Sequence, residues 1–236
     1  MITTTIVIPF FNEEKNLKIL LDELKHALNE TPKSISAEVL FVNDGSSDNG
    51  QIFIEDQIQT LENFNLINLS KQSGQTGAFK AAFKRCETDY IIRMDSDLQD
   101  SPNDLNIFFD KILKEEPDLI MGIRTLRQHS IVLRLSSFLY DLLIRIFCDS
   151  PLYTNSGSFV AFKTNYVKNL PWNKNDHRYL PLIVMQRGGK KVTEVKVNHR
   201  ERKYGQTSYP KLIKIIFGPL EVIKFIIKLK IGKYNF

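Results

Sequence analysis

The 236-residue chain holds no run of roughly 18 or more apolar residues, so no helix that spans a bilayer is expected. Its opening, MITTTIVIPF, has no basic start and too short an apolar run for a secretory leader. A cytoplasmic protein is therefore expected. Cysteine is scarce: Cys86 and Cys148 stand far apart and read as free thiols in a reducing compartment, not as a bridge. No G-x-G-x-x-G follows the first apolar run, no G-x-x-x-x-G-K-[ST] occurs, and SGQTG is too short for a phosphate loop. Those absences remove the dinucleotide fingerprint and the P-loop. There is no repeat, low-complexity stretch or domain linker. The net charge is only +5, which fits an anionic substrate or membrane surface without requiring one. No nucleic-acid partner is expected.

What is present alternates between strand and helix. Hydrophobic residues make up 42% and charged ones 25%, enough for a real core. TIVIP (5–9), EVLFV (38–42), FNLINL (64–69), DYIIRM (89–94) and DLIMGI (118–123) read as strands. Leu17, Leu20, Leu21, Leu24 and Leu28 repeat at helical spacing after the first, and helices are expected to about Leu61, over about 76–87, and from Ser101 as N-cap with Pro102 at N1. Beyond about residue 131 come an apolar helix with spaced arginines, a turn and then a strand within 155–163, a helix over 177–189 and a last strand running into a basic loop. Such alternation predicts an α/β domain with a mostly parallel sheet covered on both faces. Ligands bind such sheets at the carboxyl ends of the strands. Four polar clusters fall there: Pro9–Glu13, Asn43–Asp48, Ser70–Gly77 and Asp95–Gln99.

The densest is RMDSDLQDSPNDL, with Asp95, Asp97, Asp100 and Asp104 inside ten positions. Like charges this close call for a positive partner. Two carboxylates and the Gln99 amide make a hard oxygen site suited to Mg2+ or Mn2+, and such ions complete their shell with water and phosphate. The plainer alternative is a solvated turn that caps the next helix. Arg124, Arg127 and Arg134 follow, a set able to pair with a diphosphate.

VIPFFNEEKNL, FVNDGSSDNG, SGQTGAFKAAF, DYIIRMDSDLQDSP and VNHRERKYGQTSY, in that order, resemble family 2 glycosyltransferases of the GT-A fold. The subgroup they are most similar to comprises dolichyl- and polyprenyl-phosphate sugar transferases. The likeness runs from residue 5 to about 209. It implies a Rossmann-like catalytic domain over 1–210 and inverting transfer of a hexose from a GDP-mannose- or UDP-glucose-type donor to polyprenyl phosphate at the cytoplasmic membrane face. Two alternatives stay open: a glycan hydroxyl acceptor, and a nucleotide-sugar-binding protein without catalysis. By the same resemblance Pro9, Phe11, Glu13, Val42 and Asp44 hold base and ribose. Asp95, Ser96, Asp97 and Gln99 match the metal and diphosphate site, with Asp95, Asp97 and Gln99 as ligands. Arg124 and Arg134 contact donor phosphates, and Arg202 closes over donor and acceptor phosphate. Asp97, Arg124 and Arg202 are the expected catalytic groups.

The chain departs from the family pattern at Asn43, where an aspartate is usual, at Thr207–Ser208, where the subgroup has Ser-Lys, and at Tyr153–Asn155, which lack a common aspartate. Lys203 or Lys211 could stand in for the missing lysine. Asp149 and Glu194 are conceivable general bases, while His177 and His199 read as structural or surface residues. The tail, 211–236, puts Glu221, Lys224 and Lys228 on one side and Val222, Ile223, Phe225 and Ile226 on the other. It suits either a membrane surface or a helix packed on its own domain.

Overall fold

The computed structural model describes residues 1–124, 131–155, 157–204 and 211–236, and the side chains of these except 131–139 and 211–219. Among the described residues seven strands form one sheet: β1 (Ile2–Phe10), β2 (Ile35–Asn43), β3 (Phe64–Asn68), β4 (Tyr90–Arg93), β5 (Leu119–Arg124), β6 (Val160–Lys163) and β7 (Val192–Val197). Their order is β3-β2-β1-β4-β6-β5-β7. Every pairing is parallel except those of β6, which runs against both β4 and β5. The start of β6 therefore lies at the rim where its neighbours end, and Val160 pairs with Arg93.

Helices α1 (Glu14–Asn29), α2 (Gly50–Ile58) and α4 (Leu105–Glu115) cover one face; α3 (Gly74–Arg85), α5 (Ile131–Cys148), α6 (Leu180–Gln186) and α7 (Lys211–Lys230) cover the other. On the first face Leu17, Leu20, Leu24, Phe108 and Phe109 meet Ile6, Ile8 and Phe41, the inward residues of strands that alternate with period two. On the second, Phe79, Phe83, Ile183, Phe225 and Leu229 meet Val7, Val42, Ile91 and Met121.

Two expectations change. Ser101 makes no side-chain cap; a short 3-10 turn, Pro102–Asp104, precedes α4. Asp104 instead accepts from the Asn198 backbone N–H at 2.6 Å and its amide at 2.7 Å, tying the acidic turn to the exit of β7. The tail joins the core: Val222, Phe225, Ile226, Leu229 and Tyr234 are buried, and Glu221 pairs with Arg178 at 3.0 Å. A second row, Leu220, Ile223, Ile227 and Ile231, stays exposed beside Leu142, Ile146 and Phe147 of α5. Ile223 thus belongs to the outer row, not with Val222. Among the described residues no helix is long and apolar enough to cross a membrane.

Candidate active site

The rim is built by the segments that leave the ends of β1, β2, β4 and β7, together with Arg124 at the end of β5. After β2, Asn43 organises the first turn. Its side-chain oxygen accepts from the Ser46 N–H at 2.9 Å, and its amide nitrogen donates to Gln51 and Asn68 at 3.0 and 3.2 Å. A carboxylate could not make those two donations, which accounts for the amide at this position. Gly45 has φ +73°, and a Cβ there would lie 2.8 Å from the Gln72 nitrogen, so only glycine lets the 71–72 loop close in. Asp44 then accepts from the Ser73 N–H, the Ser73 hydroxyl and the Gly74 N–H at 2.7–2.8 Å. It is 4% exposed and pins the start of α3. Of its four or so lone-pair directions, about one remains for a ligand.

The expected base and ribose group divides. Phe11 is exposed and Glu13 lies at the rim, but the side chains of Pro9 and Val42, paired in register, are buried in the sheet. Only their backbone can face a ligand. Burial raises the Glu13 carboxyl above its ordinary range, against the lowering effect of Asn16 and Arg202.

After β4 the acidic turn is bent at Leu98, a buried leucine with φ +63°, a conformation costly for a branched side chain. The Gln99 N–H donates to Asp97 at 3.1 Å, and the Gln99 carbonyl accepts from the Arg200 N–H at 2.9 Å. Three of its carboxylates face three arginines from different segments. Asp95 lies 3.7 Å from Arg93, Asp97 lies 3.1 Å from Arg202, and Asp100 lies 3.3 Å from Arg124. Arg202 also reaches Glu13 at 3.5 Å. Ser158, at the start of β6, donates to Asp100 at 2.5 Å and bonds Arg124 as well. Burial first, and neighbouring Asp95 second, hold the Asp97 carboxyl above its ordinary range; burial does the same to Asp100. Ser96 is buried beside them.

Glu23 is not marked by its position in the sequence, and Arg200 stands out there only as part of a basic crowd. Arg200 grips Glu23 of α1 through two 2.8 Å bonds and donates to the Leu98 carbonyl at 3.0 Å, stapling the basic segment to the acidic turn. The crowding of Arg200, Arg202 and Lys203 was the available signal. Arg93 was also missed, because it reads as part of a strand. His177 is buried, held at 2.7 Å by the Thr76 hydroxyl, and pushed down to about 2 by burial and nearby Arg93. Neither candidate base is at the rim. Glu194 accepts from the Tyr153 N–H, and Asp149 lines a cleft with Lys190 and Val192 at the opposite end of β7. The Arg134 side chain, Arg127 and the Thr207–Ser208 departure lie outside the described residues.

Asp95 and Asp97 fit a divalent cation by donor chemistry, being adjacent, half-shielded hard oxygens at one strand end. Among the described residues no group of three or more His, Cys, Asp or Glu forms a closed cage. A cation held here would keep positions for other oxygens.

A family model described as Glycosyl transferase family 2 matches residues 5–170. The chain is 26% identical over 216 residues to undecaprenyl-phosphate 4-deoxy-4-formamido-L-arabinose transferase of Yersinia enterocolitica, covering 90% of this chain and 65% of that one. It is 26% identical over 229 residues to dodecaprenyl-phosphate galacturonate synthase of Rhizobium johnstonii, covering 94% and 66%. The chain thus spans about two thirds of the length of these curated relatives. Among solved structures, glucosyl-3-phosphoglycerate synthase of Mycobacterium tuberculosis, in complex with Mn2+, UDP-glucose and phosphoglyceric acid, superposes with a TM-score of 0.70 at 14% identity, over 96% of this chain and 79% of that one. The fold is GT-A, as the motifs implied.

Proposed function

The chain belongs to glycosyl transferase family 2, and from that membership we propose that it moves a hexose from a nucleoside-diphosphate sugar to polyprenyl phosphate at the inner membrane face. The observation that carries the reading is the rim itself, where Arg124 and Arg202 converge on an acidic turn at the strand ends. That arrangement suits a donor diphosphate flanked by guanidinium groups. Relatives that act on undecaprenyl and dodecaprenyl phosphate support the acceptor class.

Asp95 and Asp97 would hold Mg2+ or Mn2+, with Gln99 as a further oxygen. Bound there, the ion supplies charge stabilisation to the departing diphosphate. Arg124, fixed by Asp100 and Ser158, neutralises the same charge from the β5 side. Arg202 leaves Asp97 to meet the acceptor phosphate. The acceptor oxygen attacks the anomeric carbon from the face opposite the leaving group, and the configuration inverts. A lipid phosphate is already ionised at neutral pH, so no general base is required. This agrees with Asp149 and Glu194 lying away from the rim.

The outer row on α5 and α7 supports a membrane seat. Leu142, Ile146, Phe147, Ile223, Ile227 and Ile231 project beside Lys224 and Lys230. Apolar contact and attraction of basic groups to anionic headgroups act together on such a face.

The test is transfer of labelled sugar from a panel of GDP- and UDP-sugars, with Mn2+, to polyprenyl phosphate in vesicles. Label in the organic phase from one donor class is the expected result. Label that enters only a glycan with a free hydroxyl would replace the acceptor. Donor binding without transfer to either would remove the catalytic reading.

A further inference from the structure

Among the described residues Arg93 is the cation paired with Asp95, and it is built so that it cannot leave. It sits at the end of β4, paired with Val7 and Val160, and is 5% exposed. One terminal nitrogen donates to the His177 carbonyl at 2.6 Å, and the guanidinium lies 4.7 Å over the Phe79 ring. The other terminal nitrogen is 3.7 Å from the Asp95 carboxylate. Its Nε is buried with no hydrogen-bond partner. An arginine buried among apolar side chains costs stability unless a charge answers it, and guanidinium keeps its proton even there. Arg93 is thus a permanent positive charge under one half of the acidic pair. Arg202, on the exit from β7, is a second positive charge on the other half.

We propose that Arg93 is a positioning residue of the metal seat: it fixes the Asp95 carboxylate from below and cancels part of its charge, so that a divalent cation enters with the donor diphosphate and not alone. The reasoning is a charge count. Four carboxylates, Glu13, Asp95, Asp97 and Asp100, face three guanidinium groups, Arg93, Arg124 and Arg202, so only one uncompensated negative charge is left to attract a bare cation. A diphosphate brings the missing negative charge and oxygens. Arg202 can move aside for it, because it stands on a segment after the last strand. Arg93 cannot, because the sheet, Phe79 and the His177 carbonyl enclose it. Cation and nucleotide then raise each other's affinity by the same factor. The inference rests on the nucleotide-sugar reading above.

The experiment measures Mn2+ uptake by the full chain, by loss of the free-ion paramagnetic resonance signal, with and without UDP or GDP. Uptake with nucleotide is corrected for the complex formed in solution. In the wild-type chain, saturating nucleotide should tighten Mn2+ binding by at least ~10-fold, the size expected of a charge 4–6 Å away. Arg93→Gln keeps a donor for the His177 carbonyl but removes the charge. It should bind bare Mn2+ about 10-fold tighter and lose most of the nucleotide dependence. Arg93→Lys, which keeps the charge, should stay near wild type. A folded Arg93→Gln that binds bare Mn2+ no tighter overturns the proposal, as does a lysine variant that follows the glutamine one. If Arg93→Gln does not fold, the wild-type chain decides alone: tight, nucleotide-independent Mn2+ uptake overturns this inference while leaving the metal site. No uptake in either condition overturns both.

Discussion

The two faces of the sheet are packed on different terms. Under α1, α2 and α4 the contact is almost wholly hydrocarbon and aromatic, with Phe108 stacked on Phe159 at 4.4 Å and Phe10 set edge-on to Phe41. Under α3, α6 and α7 the apolar layer is threaded by buried Arg93, Asp176, His177 and Arg187. Those groups are bonded in sequence. Arg93 reaches the His177 carbonyl, Thr76 joins His177 to Asn175, Asn175 donates to Glu221 of α7, and Tyr234 donates to Asp176. One face holds the sheet together. The other also links the acidic turn to the C-terminal helix. Side chains that do the first job should register in stability, and those at the rim in turnover.

The sharpest separation comes from Asp97→Asn. It should lower transfer by ~10³-fold or more, as loss of a preorganised charge-stabilising group does. Its melting temperature should hold or rise, because the Asp97 carboxyl is held above its ordinary range by burial and Asp95. A melting temperature that falls as far as a core deletion's would break the comparison. Leu20→Ala, on the hydrocarbon face, should show the reverse, costing about 3 kcal/mol of unfolding free energy with turnover per folded molecule unchanged. Denaturant melts paired with active-site titration would check it.

Third in size is the pH response of the threaded face. His177 falls from 6.5 to about 2 in the folded state, so below pH 6.5 the unfolded chain takes a proton that the folded one refuses. Stability is therefore lost as pH falls, by up to about 1.4 kcal/mol per unit. Asp97, Asp100 and Glu13, all raised, act with the opposite sign. The readable quantity is a difference: His177→Gln minus wild type should gain about 2 kcal/mol between pH 7 and pH 5. A flat difference would mean that His177 takes up its proton in place. Smallest in stability is Ile227→Glu on the outer row, where Ile227 is 55% exposed. It should change unfolding free energy by no more than about 0.5 kcal/mol, yet reduce sedimentation with anionic vesicles. Unaltered sedimentation would take α7 out of membrane contact.

The sequence was most legible where one period dominated. The five strands through β5 and the leucine-spaced α1 appear where alternation and helical spacing put them, with ends moved by no more than three residues. The rim was legible as a convergence of polar clusters, because strand ends in an α/β sheet share one edge. The arginine pairings were not. Arg93 sits in an apolar run, and its role depends on β6 arriving antiparallel and on His177, 84 residues away, presenting a carbonyl. Arg200 and Glu23 are 177 residues apart and meet only through the order of the sheet. The tail divided for a similar reason. Helical spacing identified its apolar residues, but which of two rows turned inward was decided by where Tyr179 and Tyr234 offered rings to Phe225.

The sheet order also sets a timetable. Strands β3, β2, β1 and β4 are neighbours drawn from the first 93 residues, so that half can assemble from nearby pairings as the chain emerges. Its carboxylates Asp44, Asp95 and Asp97 follow these strands directly, whereas Arg124 comes with β5 and Arg202 only after β7. The nascent domain therefore carries an acidic edge answered by Arg93, then by Arg124 once β5 is in place, while Asp97 lacks its Arg202 partner until the last strand docks. Docking of that strand joins opposite charges over a long loop, so the late phase of folding should slow as salt is added while the early phase does not.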